Sequence, residues 1–172
     1  MSSFVVALAV PIVLALLGAL VRPGARRNGD AYVVEYGFGF RAMTWVFMAL
    51  AVAVALGALF VPRDWGYVLA IAGLFALIGA PLWLHGQLTR FEYGARGVTS
   101  SSPWRKTRFM AWEDIANVTY SRGEQSYVLV ARDGTKFKPH DLMSGVPDLM
   151  TELERRNIQG ASLARAFRNV RL

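Results

Sequence analysis

Three cations stand close together in the stretch SSPWRKTRFMAW: Arg105, Lys106 and Arg108, with Trp104 beside them. Clustered cations attract phosphate and carboxylate groups. Beside an anionic bilayer each contributes on the order of 1 kcal/mol, and tryptophan favours the boundary between lipid and water. The chemistry on offer is anion binding, by Trp104, Arg105, Lys106 and Arg108. A plain solvated turn would use the same residue types. Two further candidates, Arg165 and Arg168, lie in the tail IQGASLARAFRNVRL, which holds no acidic residue. On a helical wheel Leu163, Phe167 and Val170 fall together, and the arginines take the flank and the opposite side. That pattern suits a short basic amphipathic helix on anionic lipid; a frayed tail is the equal alternative.

Other residue types offer less. His140 precedes Asp141, a pair that could serve as a general base. One histidine with no second histidine in the water-facing half and no cysteine cannot build a usual zinc site. Glu113 and Asp114 are neighbours, so their side chains point apart in an extended chain. The hydroxyl run from Thr99 to Ser102 lacks a G-x-S-x-G elbow, and there is neither a P-loop nor a G-x-G-x-x-G motif. The sequence therefore points to a non-enzymatic protein with no catalytic residue, no metal site and no cofactor. With no cysteine in 172 residues, disulfides and thiol nucleophiles are excluded outright.

These residues must be positioned by a chain of two unlike halves. Hydrophobic residues make up 54% and charged residues 18%, too apolar for a soluble domain. Residues 1–86 hold five basic and three acidic side chains; residues 87–172 hold 14 and nine. The net charges, +2 and +5, account for the total of +7. Residues 4–21, 44–61 and 67–84 carry no charge. Each such run of 18 residues is about 27 Å long as a helix, enough to cross a hydrocarbon core of about 30 Å. Three transmembrane helices are therefore expected. The first lacks a basic leader and a small-residue cleavage site, so it reads as an uncleaved span.

Arginine placement sets orientation. Arg22, Arg26, Arg27 and Arg41 lie in the loop 22–43, and only Arg63 lies in the turn between the second and third runs. The expected topology has the N-terminus outside, the loop 22–43 inside and the C-terminal domain in the cytoplasm, in a bacterial-type inner membrane. The positive-inside bias explains much of a pI near 10.2, so nucleic acid is not an expected partner. Small residues recur every fourth position at Ala49, Ala53 and Gly57 and at Ala72, Ala76 and Ala80. Such stripes let helices approach closely, within one chain or in a homo-oligomer. YVVEYGFGF, residues 32–40, alternates with period two and reads as a strand or an extended aromatic segment against the C-terminal domain.

From residue 87 the pattern becomes short strands and turns: LTRFEY, VTSSS, the turn PWRK, TRFMAW, IANVTYS, SYVLVAR, a D-G hairpin and KFKPH. A helix follows, with Ser144 as its cap, Pro147 in its first turn, and Val146, Leu149, Met150 and Leu153 on one face. This order resembles the bacterial pleckstrin-homology-like (PH-like) domains appended to membrane spans. The resemblance rests on Gly97-Val98, the basic hairpin, Trp112-Glu113-Asp114-Ile115, Asp133-Gly134 and the closing helix, and covers about residues 88–157. It implies a C-terminal α+β PH-like domain over 87–157, a bent antiparallel sheet capped by one helix, with the basic amphipathic tail 158–172 beyond. Members of the family mostly lack an established activity, so the resemblance gives architecture more than function. The function expected is docking: the spans tether a module that binds a partner protein or an anionic membrane surface. The alternative is a structural subunit of a larger membrane assembly.

Overall fold

The computed structural model describes residues 24–57, 60 and 64–169. The expected first span, 4–21, lies outside the described residues. The chain divides into two compact units. One comprises the described part of Gly37–Leu88, and the other joins the described part of Arg22–Tyr36 to Thr89 and the residues that follow.

Among the described residues the first unit holds two α-helices, α1 (Phe38–Gly57) and α2 (Trp65–Leu88). Both are long and apolar enough to cross a membrane, and only 17% and 11% of their most apolar windows is buried. A core helix of a soluble protein would be mostly buried, so these helices turn their apolar side chains outward. The buried residues along them are small: Gly39, Thr44 and Ala51 on α1, and Ala72, Gly79 and Gly86 on α2. A Cβ on Gly86 would stand 2.7 Å from the Phe40 ring, and one on Gly79 would stand 3.4 Å from Met48 and Phe47. Of the stripe at Ala72, Ala76 and Ala80, Ala72 is buried and the other two are half-buried. Ala49 and Ala53, in contrast, are exposed. Pro81 lies inside α2. It removes one ladder bond without ending the helix, as is tolerated in long apolar helices.

The second unit is built on two antiparallel sheets. Strands β1 (Arg26–Asn28), β2 (Ala31–Tyr36), β3 (Arg90–Tyr93), β4 (Gly97–Ser102) and β5 (Arg105–Ala111) lie side by side in that order. A sixth strand, β9 (Met143–Ser144), pairs with the end of β2. The second sheet takes β6 (Ile115–Ser121), β7 (Ser126–Ala131) and β8 (Lys136–Phe137). Cross-strand register gathers Val34, Phe91, Tyr93, Val98 and Met110 on one face of the larger sheet, and all are buried. Helix α3 (Val146–Arg155) adds Val146, Leu149, Met150 and Leu153 to the core, the predicted face. Helix α4 (Ala161–Asn169) buries Ala161 and Ala164 and packs on β6 and α3.

Several expectations change. The strand expected over 32–40 stops at Tyr36, and residues 38–40 begin α1, where Phe40 packs on Gly86. The expected loop 22–43 holds two strands joined at Asn28–Ala31. The turn after β4 is Pro103-Trp104 alone, so Arg105 and Lys106, expected in the turn, belong to β5 with Arg108. Ser144 lies in β9 and does not cap α3; Gly145 does, at φ 81°. A Cβ there would stand 2.6 Å from Ala25 Cα, so glycine is required by both conformation and space. Residues 158–169 are part of the second unit, which closes with two helices where one was expected.

One feature of connectivity governs the rest. β2 and β3 pair directly, Tyr32 with Tyr93 through to Glu35 with Arg90, yet the two-helix unit lies between them in sequence. The helices are an insertion in a β-hairpin. Residues 24–36 joined to 89–172 by a short turn should therefore fold as a soluble, β-rich monomer by circular dichroism and gel filtration. A fragment of 87–172 alone, lacking β1 and β2, should not; a cooperative melt equal to that of the joined protein would refute this. In the joined protein Leu153→Ala should cost about 2–5 kcal/mol in chemical denaturation, because a fully buried leucine leaves a cavity.

Candidate functional site

The β4–β5 hairpin presents the most exposed run of the second unit. Residues 104–109 are all exposed, with Trp104 and Phe109 each at 58%. The turn is closed locally, where the Trp104 amide donates to Ser102 Oγ at 3.4 Å. A bulge between Ser100 and Ser102 gives β5 an extra residue opposite β4, which twists the end of the hairpin. Farther along, Gly97 holds β4 against β5. A Cβ there would collide with the Met110 carbonyl oxygen and stand 2.8 Å from Ala111 Cα. Met110 is the last inward residue of this row, and Phe109 consequently faces out. Arg105 and Lys106 form no ion pair among the described residues. Arg108 interacts electrostatically with Asp133.

The structure brings Trp104, Arg105, Lys106 and Arg108 together on one exposed strand end, and adds Phe109. Sequence reasoning missed Phe109 as a surface residue. The signal was there: if Met110 is core, its neighbour in a strand points the other way. Arg165 and Arg168 are elsewhere and engaged. Arg165 pairs with Glu154 at 2.8 Å, and Arg168 pairs with Asp141 at 2.8 Å. Both ion pairs tie α4 to its own unit, while Leu163 and Phe167 remain 62% and 50% exposed.

Trp112 is a core residue. It is buried, its indole N–H donates to the Gly94 carbonyl at 2.9 Å, and the Arg156 guanidinium lies 4.5 Å from its ring. Glu113 and Asp114 sit in a short 3₁₀ turn with it. His140 Nδ1 accepts the Leu142 amide at 3.1 Å, and Asp141 faces Arg168. Among the described residues no cluster of three or more histidine, aspartate or glutamate side chains could hold a metal ion. The Asp133 carboxylate takes both the amide and the hydroxyl of Thr135, at 2.7 and 2.9 Å, which holds its pKa below the ordinary value and closes the D-G turn. A cleft of about 580 Å³ lies between Tyr32, Tyr93, Asp148, Glu152 and Arg156. Its charged groups are largely spent on one another: Glu152 accepts from Arg155 at 2.7 Å and from Arg156 at 2.6 Å. Asp148 accepts the Ala25 amide at 2.5 Å.

Compared with protein-family models, curated proteins and solved structures, the chain shows no match in any of the three.

Two measurements test the account of this unit. Burial raises Tyr36 and Tyr93 from the ordinary 10 to about 12, helped at Tyr93 by nearby carboxylates. A group held protonated by the fold contributes stability that is complete below its unfolded pKa and lost above it. Stability should therefore fall as pH rises from about 10 toward 12, and Tyr36→Phe with Tyr93→Phe should flatten that fall in alkaline denaturation. Arg168→Ala should destabilise the protein by about 2 kcal/mol, since it removes the cation that faces the partly buried Asp141 carboxylate.

Proposed function

We propose that the chain is an integral membrane protein with three spans and a PH-like module that docks on an anionic surface. The module lies on the cytoplasmic face of a bacterial inner membrane, and the protein catalyses no reaction. The observation that carries the reading is the exposed aromatic and basic strand end at Trp104–Phe109, with Arg105 and Lys106 in no ion pair among the described residues.

Membrane insertion is supported by the two outward-facing apolar helices and by the aromatic residues along them. Trp45 and Trp83 meet edge to face at 5.5 Å near one end of the helix pair. Trp65 and Tyr67, 59% and 77% exposed, stand at the other. Along α2 the 18 steps from Trp65 to Trp83 rise about 27 Å, close to the hydrocarbon thickness over which aromatic belts are spaced. The strands before α1 and after α2 fold into one unit, so an even number of crossings separates them. The PH-like reading is supported by two antiparallel sheets closed by α3, with Gly97-Val98, the Trp112–Asp114 turn and the Asp133-Gly134 hairpin in the expected order. A structural role within a larger assembly is the second reading. It is favoured by the exposure of Ala49 and Ala53, which leaves a close-packing face uncovered by α2.

The test uses the full chain in nanodiscs of neutral lipid, presented with phosphatidylglycerol vesicles and separately with an acidic polypeptide. At least one anionic probe should bind, and R105E/K106E/R108E should abolish that binding at unchanged melting temperature. Absence of any hairpin-dependent binding, with co-purification of a stoichiometric membrane partner, would favour the assembly reading instead.

A further inference from the structure

The larger sheet ends in β5, and the backbone of that edge can be assigned a direction. The Trp112 amide donates to the Arg96 carbonyl at 3.4 Å, and the Met110 carbonyl faces Gly97. Along an antiparallel strand, alternate residues turn both backbone groups to the same side. Trp112 and Met110 therefore address β4, and Phe109 turns its N–H and C=O groups, and Ala111 its N–H, away from it, along the open edge; the Ala111 carbonyl opens the 3₁₀ turn that follows. The side chains on this edge are Arg105, Lys106, Arg108 and the exposed Phe109.

Cations and a bulge on an edge strand ordinarily keep other strands off. A second copy of this chain is a poor partner, because pairing β5 with β5 would set three cations against three. An acidic strand converts the same repulsion into attraction. Resting on the reading of this hairpin as the docking surface, we propose that β5 receives an extended acidic segment of a partner protein as an added strand. The segment would hydrogen-bond to Phe109 and Ala111, place an apolar side chain against the Phe109 ring, and set carboxylates against Arg105, Lys106 and Arg108. The edge backbone gives affinity and the charges give selection, the division of labour in strand addition.

The decisive experiment uses the full chain in neutral nanodiscs and a short synthetic peptide of alternating glutamate and valine. Its control is the same peptide with alternate backbone nitrogens methylated, equal in charge but unable to pair as a strand. The expected result is at least about tenfold tighter binding of the unmodified peptide, slowed amide exchange at Phe109 and Ala111, and loss of binding in R105E/K106E/R108E. Equal binding of the two peptides would overturn strand addition and leave only charge attraction. Binding of phosphatidylglycerol vesicles but neither peptide would overturn it in favour of lipid, with the docking reading intact. Binding of no anionic probe would overturn both.

Discussion

The pairing of β2 with β3 is the interaction on which the rest of this structure depends. It closes the larger sheet across an interruption of 52 residues, from Gly37 to Leu88. A β-hairpin is normally closed by a few residues because its ends must stay about 5 Å apart. Two antiparallel helices satisfy the same condition, since they leave and return at neighbouring points. The second unit can thus be one folded body although its sequence is in two pieces. Without β2, β3 has no partner on one side, and β1 and β9 have none at all.

The core follows from that pairing. Once β2 is in place, Tyr32 stacks on Tyr93 at 5.2 Å, and Val34 lies opposite Phe91. The row continues through Val98 to Met110, where Gly97 allows β4 and β5 to close tightly. Helix α3 covers the core with four fully buried side chains. Its N-terminus is tied to the chain ahead of β1 by Asp148 and by the close approach of Gly145 to Ala25. Helix α4 is then fastened by Arg165 and Arg168 to acidic residues. A cation held beside a carboxylate of its own unit has part of its charge already matched. The same residue free in a tail would be an adhesive for anions.

That distinction divides the basic residues into two sets that composition alone treats as one. Arg155, Arg156, Arg165 and Arg168 meet carboxylates within their own unit. Among the described residues Arg105 and Lys106 do not, and they lie at the rim of a sheet. Unengaged charge at an edge protects against indiscriminate pairing and at the same time specifies what can pair there. The two roles share one physical cause, the sign of the charge beside an open ladder.

The sequence by itself determined what depends on neighbours along the chain. The uncharged runs gave α1 and α2, and period-two alternation gave β6 and β7. Helical spacing gave the buried face of α3, and Asp133-Gly134 gave its hairpin. It also marked the stretch from Trp104 to Arg108, because grouped cations beside an aromatic are visible in any window. Only the tertiary structure decided the matters that depend on distant partners. Phe40 joined a helix because Gly86 leaves room for its ring. The segment 24–36 became part of a sheet because β3 and β9 lie far along the chain to receive it. Arg165 and Arg168, alike in sequence to the hairpin cations, became structural because Glu154 and Asp141 approach them. Local periodicity carries no information about which remote side chain fills a gap or neutralises a charge, and those encounters separate the paired cations from the exposed ones.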